Sequence, residues 1–227
     1  MADEGKFSLS GGIKIMTNLN KAELREISSL RQKTIEMLKR VQIMFRTSFD
    51  GLMKNDINIL NQVLKDETKI TEIYNKLTTS AIEVSKKKLS KEAKRIVVDL
   101  ISIISAIERI GDFCIGLVER IEYKISEKLL FSEAAVLEYK ELCTNIDKVL
   151  SDTIEAMKTN DRKLAKKILE TKSFLYGLIE KSRANHIDRS ARGICDEWAR
   201  IRYLDMLDFI KDIVDHCMET VSRVIKK

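Results

Sequence analysis

No proline occurs among the 227 residues of this chain, and glycine occurs only eight times. Average usage would supply roughly 11 prolines at this length. Tight turns draw on Pro and Gly for their backbone angles, so a sandwich, a barrel or an α/β fold is hard to close from such a sequence. What remains is a small number of long elements with few turns. The hydrophobic fraction of 44% excludes a disordered chain. No run of about 18 uncharged apolar residues offers a membrane span, and Met1 to Gly12 lacks the apolar core of a secretion signal.

From Lys21 onward apolar residues recur every three to five positions. Leu24, Ile27, Leu30, Ile35, Leu38, Val41, Phe45, Phe49 and Leu52 predict a first amphipathic helix, broken at Lys54-Asn55-Asp56 with Asp56 as the next N-cap. The second helix carries Leu60, Val63, Ile70, Ile73 and Leu77 and stops at Lys86-Lys87-Lys88, where cations suit a helix C-terminus. Ser90 caps a third helix along Val97, Ile104, Ile107, Gly111, Cys114 and Val118. Ser132 caps a fourth, Asn160-Asp161 breaks it, and a fifth and a sixth follow, parted by a polar link from Ser190 to Gly193. Residues 1–20 read as a flexible N-terminal arm. Six long helices with short links pack as antiparallel neighbours, an all-α bundle.

The two halves repeat. Asn55-Asp56 aligns with Asn160-Asp161 at an offset of 105 residues, as do Val63 with Ile168 and Ile70 with Leu175. At 103, Ile107 aligns with Ile210, Asp112 with Asp215 and Cys114 with Cys217. The difference falls in a link, where length changes are tolerated. The expected organisation is two tandem three-helix bundles, residues 21–127 and 131–227.

Charge and cysteine exclude more than they specify. Lys and Arg number 41 against 35 Asp and Glu, both signs are dispersed, and the net charge is +6. A nucleic-acid reader concentrates its basic residues, and here only Lys86-Lys87-Lys88 form a run. Cys114, Cys143, Cys195 and Cys217 lack metal spacing and read as reduced core residues. No phosphate loop is present, and His186 and His216 assemble into no catalytic triad, so the chain is not expected to be an enzyme.

Polar residues that interrupt an apolar stripe are the candidates for chemistry. Glu67 lies on the stripe of the second helix, and Glu108 and Asp112, four apart, share a face of the third. Like charges at that spacing cost stability unless a cation or a proton compensates. Three such carboxylates can hold a divalent cation; alternatively they pair with Arg109, Arg120 or lysines on a wet flank. Asp205, Asp208, Asp212, Asp215 and Glu219 form an acidic stripe on the sixth helix, read as a solvated face, with Lys211 inside it. Trp198 reads as a plug at the bundle end.

The segment Ile107-Glu108-Arg109-Ile110-Gly111-Asp112 resembles the "LERIGD" signature of PhoU-like phosphate-regulatory proteins. Tyr203 to Leu207 and Val214 to Cys217 resemble its second copy. Phe131-Ser132-Glu133 and His186-Ile187-Asp188-Arg189 are similar to connecting motifs in the PhoU domains of bacterial sodium/phosphate cotransporters. The resemblance spans about residues 20 to 225. It implies a non-enzymatic regulator and adaptor in phosphate transport and signalling, cytoplasmic and at most peripheral to the membrane. Its implied partners are a phosphate transporter and a sensor kinase, with a homodimer also compatible. The competing expectation is a helical interaction scaffold with neither a metal nor a phosphate role.

The family's metal ligands are paired acids on the second and third helices of each repeat. In repeat one they map to Glu67, Glu108 and Asp112, with Thr71 in place of a fourth acid. A divalent transition metal (iron, zinc or manganese) is therefore expected there. In repeat two the same positions hold Lys172, Tyr176, Lys211 and Asp215, so no metal is expected and an internal ion pair takes its place, made by Lys211 to Asp215 or Asp208, with Lys172 of the adjacent helix as a secondary contributor.

Overall fold

The computed structural model describes residues 19–225, and the only regular structure among them is helical. In chain order the helices are α1 (Lys21–Lys54), α2 (Ile57–Lys86), α3 (Lys91–Ser126), α4 (Glu133–Thr159), α5 (Arg162–Glu170), α6 (Lys172–Ala191) and α7 (Glu197–Ile225). Most of the N-terminal arm, residues 1–18, lies outside the described part.

The six-helix plan holds, with the fifth helix interrupted at Thr171 into α5 and α6. The Thr171 hydroxyl donates to the Ile168 carbonyl at 2.7 Å, and its backbone N–H reaches the same oxygen at 3.0 Å. That is a tightened turn, and a threonine bonding back into the preceding turn bends a helix. Backbone angles at Thr171 stay right-handed (φ −74°, ψ −13°), so the chain continues along its path.

The repeated Asn-Asp dipeptide has a physical explanation. Asn55 and Asn160 end α1 and α4 in the left-handed region (φ 49° and 54°), which Asn tolerates. Asp56 and Asp161 then cap the next helix through their side chains. Ser90 and Ser132 cap α3 and α4 as expected. At α1 a capping box joins Asn20 and Glu23, and buried Glu23 also accepts from the Ser90 backbone N–H at 2.6 Å, fixing the α2–α3 link to the start of α1.

In repeat one α1, α2 and α3 pack on one another; in repeat two α4 packs with α5, α6 and α7. The repeats join along α3–α7 and α1–α4, the pairings an approximate internal twofold requires. One continuous apolar core runs through both, and all four cysteines are free thiols buried in the protein. On the α1–α4 seam Arg46 grips Asp147 with two bonds, at 2.6 and 3.0 Å, while Gln42 bonds Asp147 and Ser151.

Two glycines in these helices differ in what packing demands. A Cβ at Gly51 would lie 2.3 Å from Cδ2 and 2.8 Å from Cγ of fully buried Leu60, where α1 turns into α2. At Gly111, inside the family-like motif, the nearest atoms are ordinary contacts, Ile70 at 3.6 Å and Val41 at 3.7 Å. Gly51→Ala is therefore expected to cost about 1–3 kcal/mol through overpacking. Gly111→Ala is expected to stabilise by about 1 kcal/mol through helix propensity. Thermal melts of the two variants should move in opposite directions.

Candidate functional site

The three repeat-one carboxylates meet in one electrostatic neighbourhood between α2 and α3. Glu67 and Glu108 are half-buried and Asp112 is exposed. Partial burial, then the charges of Asp112 and Glu67, push the Glu108 carboxyl above its ordinary range, with Arg109 opposing. Burial and then the Glu67 charge do the same to Asp112, again against Arg109. Among the described residues none of the three acids forms an ion pair within 4 Å. Glu67 instead accepts the Thr71 hydroxyl at 2.9 Å. As the side chains stand, no three His, Cys, Asp or Glu among the described residues are arranged to hold a metal ion. The corner thus has uncompensated negative charge but not an assembled ligand set.

The equivalent corner of repeat two is closed by its own cation. Lys172 Nζ lies 2.7 Å from Asp215 Oδ1, and the Tyr176 hydroxyl donates to the same oxygen at 2.6 Å. Both lysines stand over the Tyr176 ring, Lys172 at 5.1 Å and Lys211 at 5.5 Å from its centroid. Burial would raise the Asp215 carboxyl, but the bonds from Lys172 and Tyr176 and the charges of Lys172 and Lys211 outweigh it and hold the group below its ordinary range. The bond to Asp215 in turn raises Lys172. The expectation that Lys211 makes the pair is corrected: among the described residues Lys211 forms no ion pair, and Lys172, the secondary candidate, is the direct partner. Lys211, one turn before Asp215 on α7, acts on it only through space.

The acidic stripe of α7 is a partly exposed face on which every acid but Asp212 is ion-paired. Asp205 meets Arg120 and Arg202, each at 3.4 Å, Asp208 meets Arg183 at 2.5 Å, and Glu219 meets Arg223 at 3.7 Å. Those partners come from α3, α6 and α7 itself, and nothing in the α7 pattern alone announces the first two.

Trp198 is not a plug: it is 56% exposed. It sits one position off the face that buries Ala199, Tyr203 and Met206. This end of repeat two is filled by an aromatic cluster instead. His186 stacks on Tyr203 at 4.1 Å between centroids, and Phe131 meets Tyr203 edge-on at 5.3 Å. The Tyr203 hydroxyl donates to the Ala135 carbonyl and shares a hydrogen bond with Ser182. Burial, then the Arg189 charge, lowers His186 to about 4, so the ring is neutral at physiological pH. Arg189 makes a two-pronged bond to Glu138 at 3.0 and 2.7 Å, and Asn185 adds a third at 2.8 Å. The His-Ile-Asp-Arg motif therefore does packing work, tying α6 to α4 and α7.

The fold and the corner define a duplicated three-helix-bundle protein whose two repeats have diverged at two charged positions, Glu67 against Lys172 and Glu108 against Lys211. Residues 34–121, from within α1 through most of α3 and including Glu67, Glu108 and Asp112, match the family model for the PhoU domain. The structure of PhoU from Pseudomonas aeruginosa is similar with a TM-score of 0.82 at 15% identity, covering 88% of this chain and 96% of that one. The phosphate transport system regulatory protein PhoU from Streptococcus pneumoniae gives 0.80 at 14%, covering 89% and 95%. A putative PhoU-like phosphate regulatory protein from Shewanella oneidensis gives 0.62 at 10%, covering 91% and 95%. No curated protein sequence matches the chain. The chain is thus similar to the PhoU domain in sequence over residues 34–121 and to PhoU structures in fold over both repeats.

Proposed function

We propose that this protein is a non-enzymatic regulator of phosphate transport and phosphate signalling, an adaptor acting at the cytoplasmic face beside a phosphate transporter and a sensor kinase. The observation that carries the reading is the PhoU-domain match over residues 34–121, which contains the acidic corner. Among the described residues no helix is long and apolar enough to cross a membrane, in keeping with a peripheral position.

In this reading repeat one uses Glu67, Glu108 and Asp112 to hold one divalent ion, manganese, iron or zinc. The donor set fits: three carboxylates that repel one another and have no ion pair among the described residues. A bound ion would supply the missing counter-charge. Glu67 must give up its Thr71 hydrogen bond to turn inward, and Thr71 adds no charge, so affinity is modest. Repeat two, already neutralised by Lys172, holds none.

The function is tested by deleting the gene in its host and following phosphate uptake and phosphate-starvation gene expression in phosphate-rich medium. Loss of the normal repression is expected. Unchanged uptake and expression would leave the interaction scaffold as the reading.

A further inference from the structure

A second charged feature lies away from the acidic corner, where the two repeats meet. A cavity of about 80 Å³ is bordered by Arg31 of α1, Arg95 and Asp99 of α3, Arg162 at the start of α5 and Arg223 of α7. Leu100, Ile103 and Met157 contribute apolar walls. At about 30 Å³ per water, the volume is two to three waters, which suits one tetrahedral oxyanion. Asp99 and Glu108 are nine residues apart on α3, about 14 Å along the axis, so this is a separate site.

The cations of this cavity outnumber its anions. Asp99 is its single acid, paired with Arg223 at 3.3 Å. Arg31 spends two donors on neutral acceptors, the Met157 carbonyl at 2.8 Å and the Asn160 side chain at 2.9 Å. Burial pulls its guanidinium below the usual value. Arg162 Nε is buried with no hydrogen-bond partner among the described residues. Holding such groups out of water without an anion is costly. Guanidinium forks match oxyanion geometry.

We propose that this cavity binds one inorganic phosphate ion, the arginines holding its charged oxygens and Asp99 accepting a hydrogen bond from its remaining O–H. An ionised carboxylate only accepts hydrogen bonds. Hydrogenphosphate still carries an O–H at neutral pH; sulfate does not, and a phosphate monoester has largely lost its own. Asp99 therefore favours the first and repels the other two. One Asp99 oxygen bonded to Arg223 leaves the second free to accept. Because α1, α3, α5 and α7 all contribute, the ion would bridge the two repeats. The inference rests on these side chains and stands whether or not the chain regulates transport.

The test is calorimetric titration of the full chain at pH 7.5 and constant ionic strength with phosphate, sulfate and glycerol phosphate. Saturable binding of one phosphate per chain is expected, with the other two at least tenfold weaker. Arg95→Gln with Arg162→Gln should weaken phosphate at least tenfold while circular dichroism shows the fold intact; both side chains lie at the cavity border rather than in the core. Asp99→Asn should narrow the preference for phosphate over sulfate by tenfold or more. Absence of saturable phosphate binding, or binding that the double arginine variant leaves unchanged, would overturn the site. Equal binding of sulfate and phosphate would overturn the role of Asp99.

Discussion

Exchanging both lysines of repeat two for glutamate, Lys172→Glu with Lys211→Glu, is expected to make its stability depend on metal. The wild-type corner is closed by the 2.7 Å pair of Lys172 with Asp215. The double variant replaces that pair with three carboxylates, the same set that Glu67, Glu108 and Asp112 form in repeat one. Two effects add in chelator: loss of an ion pair that is more than a third exposed, worth at most about 1 kcal/mol, and new like-charge repulsion. Manganese or zinc at a hundred times its dissociation constant should then restore about 2.7 kcal/mol. A melting temperature equal to wild type in chelator, with no shift on adding metal, would show that the lysines do not stand in for an ion.

Removal of Arg189 is expected to cost about 3 kcal/mol, because it leaves the Glu138 carboxylate partly buried and largely unpaired. The pair is 12% and 21% exposed, the most enclosed ion pair that joins α4 to α6. Burial alone would raise Glu138, yet the bonds from Arg189 and Asn185 hold it below its ordinary range. Its sign follows from that direction. Stability from a depressed carboxylate is present above the unfolded value and is lost as pH falls through the folded one. Arg189→Ala should lower stability at pH 7 and flatten the acid side of the stability profile. A loss at pH 7 below about 1 kcal/mol would place Arg189 among ordinary surface ion pairs.

Much of this protein is legible in its sequence because helices dominate it. A 3.6-residue period over long stretches, with Asn-Asp at two junctions, locates helix ends by local chemistry that tertiary packing does not override. The substitution of Lys172 for an acid was legible too, because the repeat supplies an internal comparison. What escaped is either a local choice the sequence leaves open or a contact between distant segments. The break at Thr171 comes from a hydroxyl turning back on its own helix, an option open to every threonine in the chain. Trp198 and Ala199 are neighbours in sequence, and one position of helical phase decides which of them is buried. The α7 acids meet arginines from α3 and α6, and the four arginines of the cavity come from four helices. No periodicity within one element encodes such meetings.

The division between the repeats is tested most directly by counting metal. The chain, stripped with chelator and dialysed to equilibrium against manganese, iron or zinc, should carry one ion in excess of the dialysate in elemental analysis. Glu108→Gln with Asp112→Asn should carry none while melting as a folded protein, and Asp215→Asn should still carry one. No bound ion in the wild-type chain, or an ion retained by the Glu108 and Asp112 variant, would contradict a metal corner confined to repeat one.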